Sequence, residues 1–591
     1  MTTKLPETDV VIIGFGLTGA ILTEQLTAAG LNVTAIERGK WRDTASDFPT
    51  TYAADELRYG IRLGLFQKPA EETLTFRNNA GQLALPIRQF GSFLPGNGVG
   101  GANVHWNGQA WRFLPTDFKL RSHLEQRYGK AFLPEDMTIQ DWGVSYDDLE
   151  PYYDHFEKMF GIGGTAGNLR GNIQPGGNPF EGARQNEFPN PAMEQTYGPV
   201  MFAKAAADLG LHPFPQPSAN MSRAYTNPLG MTLGPCTYCG FCERFGCGNY
   251  AKASPQTTIL PALRSRTNFT LRTESEVLKI TLDSTGKKAT GVLYADAQGN
   301  LIEQPASLVL VCSFAFHVPR LLMLSNIGTP YDARTGTGVV GRNYAYQTMS
   351  HLRLHFDNQN FNQFVGAGAL GMYIDDFNGD NFDHSKLGFV GGSTIGVLIT
   401  NGRPIDNTDV TNLPPGTPAW GAQWKRAAKD NYLSTISIAA QGSSYSNRNA
   451  FLDLDPTYKD KWGQPLLRMT FDFSDNDQKM ARYMVQQMQT IGHSMGPREM
   501  VPHAATAPYS TVPYQTTHNT GGAIMGADPN TSVVNRYLQS WDVPNVFVFG
   551  TSAFPQNAGY NPTSTVGALA YWGAAAIKNQ YLKNPGPLVP A

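Results

Sequence analysis

Apolar and polar positions divide the chain into recognisable elements. Val10–Ile13 is a continuous apolar run bounded by glycine, which predicts a buried strand. Thr18–Ala29 predicts a helix, closed by Gly30, a residue suited to the left-handed cap position. Asn32–Ile36 predicts a second strand that ends at Glu37. Strand, helix and strand in this order make a βαβ-type start. The C-terminal region repeats the strand-to-helix logic, with a strand over Asn545–Phe549 and an Ala-rich helix over Pro562–Tyr581.

Between these ends the pattern changes. Helical signals fall on Asp147–Met159 and Val318–Asn326, and a long amphipathic helix on Asp475–Gly492. Residues 268–311 read as a β meander, with a turn at Gly299 and Asn300 joining two strands. Residues 348–475 alternate in places, as in HLRLHF (His351–Phe356) and YLSTISIAA (Tyr432–Ala440), and predict a second sheet. Gly91–Gly108 is a glycine-rich loop, and residues 163–235, rich in Gly, Pro and Asn, read as long loops.

At 591 residues the chain exceeds one ordinary core, so two large domains are expected. Its net charge of −2 lacks the basic footprint of a nucleic-acid binder. No apolar run approaches the ~18–20 residues of a membrane-spanning helix, so no membrane span of its own is expected. The N-terminus passes almost directly into a strand, without the basic region and apolar stretch of a cleavable leader. A folded chain can still be exported bound to a partner that carries the signal.

The glycines of the first turn have separate tasks. Gly14 permits the sharp turn, Gly16 lets a pyrophosphate approach the backbone, and Gly19 lets helix and strand pack closely. The helix N-terminus then presents its positive end to phosphates. Glu37 lies eighteen residues after Gly19, where a carboxylate accepts hydrogen bonds from ribose hydroxyls. The motif alone does not separate FAD from NAD.

Four of the five cysteines, Cys236, Cys239, Cys242 and Cys247, fall within twelve residues, while Cys312 stands alone. Neighbours this close pair poorly with each other, so a disulfide framework is disfavoured. The Cys-x2-Cys-x2-Cys start has the spacing of bacterial ferredoxins, and Gly240, Gly246 and Gly248 permit tight winding. An iron–sulfur cluster is the favoured reading, with structural zinc as its rival. A cluster of three irons leaves one cysteine spare, Cys236 being a choice; a cluster of four uses all. Among the eleven histidines, His351 and His355 would stand ~13 Å apart on a strand, too far for one metal, and read as surface or pocket polar groups.

The sequence resembles the glucose–methanol–choline (GMC) family of flavin oxidoreductases over nearly its whole length. The likeness is carried by the first glycine motif, VGGANVHWNG (Val99–Gly108), SEVLKI (Ser275–Ile280), VPRLLMLSNIG (Val318–Gly328), VGRN (Val340–Asn343) and the tail from His518 to Trp572. Cys312-Ser313 departs from the usual Ala-Gly pattern. Within the family the cysteine stretch is similar to the catalytic subunits of bacterial sugar and sugar-acid dehydrogenases, and ordinary family oxidases lack it.

The resemblance implies an α/β fold. A Rossmann-like, glutathione-reductase-like FAD domain is expected over 1–120, 255–345 and 515–591. A loop-rich insertion (121–254) would carry the cysteines within 231–256, and an α+β substrate domain with an antiparallel sheet would span 346–514. FAD is implied, held by Gly14, Gly16, Gly19, Glu37 and Arg38; by Gly100, Gly101, Asn103, His105, Trp106 and Asn107; by Val277; and by Gly550, Thr551, Pro562 and Thr563. His105 lies in a segment like the one that links flavin covalently in some relatives.

His518 and Asn561 fall at the family's two catalytic positions. Histidine can take a hydroxyl proton near neutral pH, and asparagine can donate a hydrogen bond to the same oxygen. The helix after Pro562 can aim its positive end at the flavin. The implied reaction oxidises a secondary hydroxyl of a sugar or sugar acid, D-gluconate to 2-keto-D-gluconate being the best guess. Fructose, sorbitol, 2-ketogluconate and glucosides are alternatives. Arg112 is a guess for a substrate carboxylate.

A three-iron cluster, a small subunit with an export signal, a multihaem cytochrome c and a periplasmic, membrane-associated site are further implications. Two rival readings are an oxidase with a structural metal site and a non-catalytic electron carrier. Peroxide yield separates the first. Reduction of the flavin by a polyol separates the second.

Overall fold

β1 (Thr8–Ile13), α1 (Leu17–Ala28) and β2 (Val33–Ile36) form the expected opening in this computed structural model, which describes residues 2–48, 64–89, 91, 93–399 and 410–590. Ser92 of the glycine-rich loop and residues 400–409 of the second-sheet region lie outside the described residues. Further along come α2 (Tyr146–Phe160), β3 (Phe269–Arg272), β4 (Glu276–Leu282), β5 (Ala289–Ala295), β6 (Leu301–Val311), β7 (Thr348–His355), β8 (Thr435–Gly442), α3 (Asp475–Met495), β9 (Val546–Val548) and α4 (Thr563–Ala576).

One sheet runs β3-β2-β1-β6-β5-β4. Its β3, β2, β1 and β6 are mutually parallel, and β9 lies parallel to β6. Val309–Val311 thus lies between β1 and β9 in the interior of the parallel sheet and is fully buried on both faces. The first half of β6 instead pairs antiparallel with β5. The expected meander over 268–311 therefore holds only for β4, β5 and β6. β3 leaves it to extend the parallel sheet, because Glu274 in left-handed conformation (φ +52°) turns the chain between β3 and β4.

α4 packs between α1 and α2. Its small residues let the helices approach: a Cβ at Gly567 would meet the Phe156 ring at 2.2 Å. A single π turn, Ile577–Tyr581, follows α4, and Pro562 is its N-cap rather than its first helical residue. α2 is set by a capping box in which Ser145 Oγ accepts from the Asp148 N–H at 3.2 Å and Asp148 Oδ2 accepts from the Ser145 N–H at 2.9 Å. These caps move its ends only one residue from the expected ones.

A second, six-stranded antiparallel sheet has the order Phe214–Pro215, Gly371–Ile374, Ser393–Leu398, β8, β7, Glu499–His503. α3 covers one face with Met480, Met484, Met488 and Ile491 against Leu352, Leu354, Ile436 and Ile438. Ser474 caps α3, and Gly496 at φ +69° caps its other end, so α3 closes at Met495, three residues beyond the expected Gly492. The region 348–475 is not one sheet. Phe451–Lys459 and Pro465–Thr470 join Thr75–Arg77 and Leu85–Pro86 in a separate four-stranded sheet. The predicted loops over 163–235 contain a helix, Tyr197–Asp208, that buries Phe202, Ala205 and Ala206 against the second sheet. Gly198 and Pro199 in its first turn hide it from a periodicity reading. Among the described residues no helix is long and apolar enough to cross a membrane.

Candidate active site

A cavity of about 910 Å³ runs from the β1–α1 turn to the open face of the second sheet. Gly14, Gly16, Glu37 and Arg38 line it at one end. Gly101, Asn103, His105, Trp106, Asn107 and Val277 line its middle, with Gly550, Thr551, Pro562 and Thr563 beside them. Gly19 and Gly100 stand behind this wall. A Cβ at Gly19 would meet Gly14 O at 2.2 Å, and one at Gly100 would meet the Gln256 amide at 2.1 Å.

Gly16 differs from its neighbours. A Cβ there would meet only Gly101 Cα, at 3.9 Å, so the space above its backbone is open to a ligand. α1 starts here without a side-chain cap, leaving its first N–H groups to the cavity. Glu37 is held by the N–H groups of Phe15 (2.9 Å) and Gly39 (2.8 Å). Burial raises its pKa, opposed by those two bonds and by Arg38. A backbone cradle at a helix N-terminus followed by a fixed carboxylate suits a dinucleotide. Cys312 and Ser313 also line this end, and a Cβ at Gly14 would meet Cys312 O at 3.1 Å.

His518 and Asn561 face each other in the same cavity. Asn561 Nδ2 is 3.1 Å from His518 Nε2. On the other side of the ring, Gln347 Oε1 and Thr516 Oγ1 each lie 2.5 Å from Nδ1. The Gln347 amide cannot turn, because its Nε2 donates to Ala558 O (2.6 Å) and Tyr560 O (2.8 Å). Its Oε1 must accept, so His518 carries its proton on Nδ1 and keeps the Nε2 lone pair. Asn561 is oriented likewise, since Gln441 Nε2 donates to its Oδ1 at 3.1 Å and leaves Nδ2 toward the histidine. Burial pulls the His518 pKa down to about 3, so the ring is neutral. Gln347 and Gln441 carry no sequence motif; only their neighbours in space reveal them.

The second sheet forms the far wall. Met349, His351 and Arg353 alternate on β7 and face Gln441, Ala439 and Ser437 of β8. His355, expected at a surface or pocket, is instead fully buried, with Nδ1 2.8 Å from Thr435 Oγ1. Arg112, the guess for a substrate carboxylate, does not line the cavity. It is buried behind it, with Nε and Nη2 each 2.8 Å from the two Glu157 carboxylate oxygens and Nη1 3.2 Å from Glu150. It is a structural ion pair. Arg353, which donates to Asn412 Oδ1, is an arginine that does line the wall.

The cysteine loop lies behind the His105–Trp106 turn. The Arg244 N–H donates to His105 O at 2.7 Å. His105 is buried against the edge of Phe66, and its Nε2 has no hydrogen-bond partner among the described residues. Burial, then Lys252, hold its pKa down at about 3. All five cysteines are free of disulfides. A charge on Cys239, Cys242 or Cys247 would raise the pKa of Cys236, and a charge on Cys239 or Cys247 that of Cys242. Burial is the larger effect and pushes Cys242 up to about 12. The Tyr238 N–H points at Cys236 Sγ (3.4 Å) and Asn220 Nδ2 at Cys242 Sγ (3.7 Å).

Tight winding falls on Tyr238 (φ +54°), Gly240 (+76°), Arg244 (+68°) and Tyr250 (+55°), not on Gly246 and Gly248. Gly246 is small for another reason: a Cβ would strike the Phe48 ring at 2.1 Å. Thiols and N–H donors aimed at them suit thiolates in chemistry. No group of three or more His, Cys, Asp or Glu among the described residues is arranged to hold a metal ion.

A cradle for a dinucleotide opening onto a paired histidine and asparagine suits a dinucleotide-dependent oxidoreductase. Comparison with known proteins agrees. Two GMC oxidoreductase family profiles match residues 140–349 and 446–570. The chain is 52% identical to the gluconate 2-dehydrogenase flavoprotein of Pantoea cypripedii, over 100% of this chain and 96% of that one. It is 27% identical to the fructose dehydrogenase large subunit of Gluconobacter japonicus, over 98% and 99%. Pyridoxine 4-oxidase from Mesorbium loti shares the fold, with a TM-score of 0.59 at 18% identity, over 98% of this chain and 100% of that one. The chain belongs to the GMC oxidoreductase family and is an FAD-dependent enzyme.

Proposed function

We propose that the protein is a sugar-acid dehydrogenase that oxidises the C2 hydroxyl of D-gluconate to the 2-keto acid. The observation that carries this is the fixed His518 tautomer, with its Nε2 lone pair and the Asn561 amide converging in the FAD cavity. The 52% identity to a gluconate 2-dehydrogenase flavoprotein supports the substrate. His518 Nε2 takes the hydroxyl proton, and Asn561 Nδ2 donates to the same oxygen and fixes its orientation. Bound FAD supplies the acceptor for the hydride. The α4 N-terminus, next to Pro562, would favour negative charge on a flavin held there.

The second part of the reading concerns electron exit. Cys236, Cys239, Cys242 and Cys247 would hold an iron–sulfur cluster, favoured as three-iron with a spare cysteine, which supplies one-electron chemistry. The ferredoxin-like spacing and the N–H groups aimed at Cys236 and Cys242 support it. A multihaem cytochrome c is the acceptor, and a signal-bearing small subunit carries the chain to the periplasmic face of the membrane. His105, buried and neutral with a bare Nε2 in the cavity wall, would be the residue that tethers the flavin.

The deciding experiment is dye reduction by the FAD-loaded protein on gluconate, 2-ketogluconate, fructose, sorbitol and glucosides. Gluconate should give the highest kcat/KM, with little peroxide in air. A preference for a neutral sugar, or stoichiometric peroxide, would overturn the substrate or the acceptor class respectively. Stoichiometric zinc without iron or acid-labile sulfide would remove the cluster. Acid precipitation tests His105, since release of all yellow colour to the supernatant rules out the bond.

A further inference from the structure

A second buried polar cluster stands behind the catalytic pair. Asp375 follows the strand Gly371–Ile374 of the second sheet and is 0% exposed. Tyr560, the residue before Asn561, is 1% exposed. Neither lines the cavity. The Tyr560 hydroxyl donates to Asp375 Oδ2. Asn178 Nδ2 donates to the same oxygen at 2.5 Å, and Asn378 Nδ2 donates to Oδ1 at 3.2 Å. The Asn178 amide is fixed in this sense, because its Oδ1 accepts from the Phe180 N–H at 3.0 Å. One carboxylate therefore gathers donors from the long loops, from its own turn and from the C-terminal tail. A buried carboxylate is costly unless it is satisfied in this way.

The other end of Tyr560 belongs to the active site. Its carbonyl oxygen accepts from Gln347 Nε2 at 2.8 Å, and the next residue places its amide 3.1 Å from His518 Nε2. Between the two ends the ring is stacked on Trp111, with centroids 5.1 Å apart and planes at 16°. The packing has no slack: a Cβ at Gly559 would meet Asn378 Oδ1 at 2.1 Å. A continuous series of contacts thus runs from the Asp375 carboxylate through the Tyr560 hydroxyl, the Tyr560 carbonyl and the Gln347 amide to His518 Nδ1.

We propose that Asp375 is a positioning residue for the catalytic histidine: it anchors the Tyr560 hydroxyl, so that the Tyr560 carbonyl holds the Gln347 amide in the orientation that keeps the proton on His518 Nδ1. This rests on the reading of His518 as the base. Asp375 acts from outside the cavity and touches neither substrate nor flavin. Without the anchor the Tyr560 carbonyl is free to shift, and Gln347 loses one of the two acceptors that fix it. A misplacement of ~1 Å is enough to cost ~10²-fold in rate.

The test uses the full-length, FAD-loaded protein as wild type, Tyr560→Phe and Asp375→Asn, each variant alone and combined with Gln347→Leu. FAD content, Tm, and kcat and KM for D-gluconate by dye reduction are measured. Phenylalanine keeps the ring on Trp111 and loses only the hydroxyl. Asparagine keeps the shape and turns one acceptor oxygen into a donor. Each single variant should keep its FAD, lose about tenfold in kcat and hold KM within about twofold. Added to Gln347→Leu, each should change kcat by less than about twofold, because the route is already cut. Wild-type kcat with a lowered Tm, or an equal loss of kcat in both backgrounds, makes the anchor merely structural and overturns the proposal. Should either variant be insoluble, the other decides by the same criteria. Should wild type not oxidise gluconate, crystal structures of wild type and Tyr560→Phe decide: a Gln347 amide turned or displaced from Tyr560 O supports the role, and an unchanged one overturns it. His518→Ala with wild-type kcat removes the base and the positioning role together, whereas an inactive His518→Ala beside an indifferent Tyr560→Phe removes the role alone.

Discussion

Gln347 Oε1 accepts the Nδ1–H of His518 at 2.5 Å, and this one bond decides which ring nitrogen is available to a substrate. Gln347→Leu keeps the volume and removes the acceptor. The ring can then turn or take the other tautomer, leaving Nε2 protonated and unable to accept a proton. The expected result is full FAD content with kcat reduced about 10²-fold, within the usual range for general-base loss. His518→Ala should reach a similar or deeper loss, and the double variant should add little to it. Steady-state dye reduction on FAD-normalised protein measures this. Wild-type kcat in Gln347→Leu would show that the tautomer is set elsewhere.

The pH profile follows from burial. His518 has its pKa pulled down to about 3, so the active, unprotonated base is already complete at pH 5 and is lost only as pH falls toward that value. The acid limb of kcat/KM, which reports the free enzyme, should therefore not lie at the ordinary histidine value of ~6.5. Measurements of kcat/KM from pH 4 to 8 check this. A limb near 6.5 that vanishes in His518→Gln would contradict a buried, neutral ring.

The beginning and end of the chain were the most legible. Val10–Ile13, the three glycines and Glu37 follow local rules, and the structure puts them where those rules say. The cysteine spacing and the tail motif also stood out, because rare residues close in sequence are visible without a fold. What stayed hidden depends on distant partners. β3 looks continuous with β4 until Glu274 turns the chain and β2 captures it. Pro465–Thr470 pairs with the nearby Phe451–Lys459 on one side, yet on the other with Thr75–Arg77, more than 380 residues earlier. Gln347 is oriented by hydrogen bonds to the backbone carbonyls of Ala558 and Tyr560, and a carbonyl leaves no mark in the sequence.

Arg112 shows the same limit from the other side. Its place just past the flavin loop suggested substrate, but its guanidinium is committed to Glu157 and Glu150 with 3% of the side chain exposed. Arg112→Ala would leave Glu150 buried without its arginine and Glu157 with Arg184 alone, a loss of about 3–5 kcal/mol for a broken buried pair. Soluble yield and Tm should fall sharply, while any protein that folds should keep its KM for gluconate. A folded Arg112→Ala protein of normal Tm with a raised KM would return Arg112 to the substrate site.

Arg353 is the residue to test for acid recognition. It faces the cavity from β7 opposite Ser437, on the sheet that also holds Gln441 and, through it, Asn561. A sugar acid differs from its polyol by a carboxylate in place of a hydroxymethyl group, and guanidinium pairs with carboxylate through two parallel bonds. Arg353→Gln should raise KM for gluconate about tenfold, ~1.4 kcal/mol, with a smaller change in kcat. KM for sorbitol should not move. Equal changes for both would assign Arg353 to general pocket shape.

Gly16 separates cofactor binding from folding. Its φ of −85° and ψ of −153° suit other residues, and an added Cβ would touch only Gly101 Cα at 3.9 Å, so Gly16→Ala costs the apoprotein little. The methyl group would nonetheless stand where a pyrophosphate must approach the backbone. Gly19 is the contrast, because a Cβ there falls 2.2 Å from Gly14 O and forces α1 away from β1. Gly16→Ala should therefore purify with wild-type circular dichroism and a large loss of FAD. Gly19→Ala should lose FAD and thermal stability together. Full FAD occupancy in Gly16→Ala would mean that the pyrophosphate does not cross the β1–α1 turn.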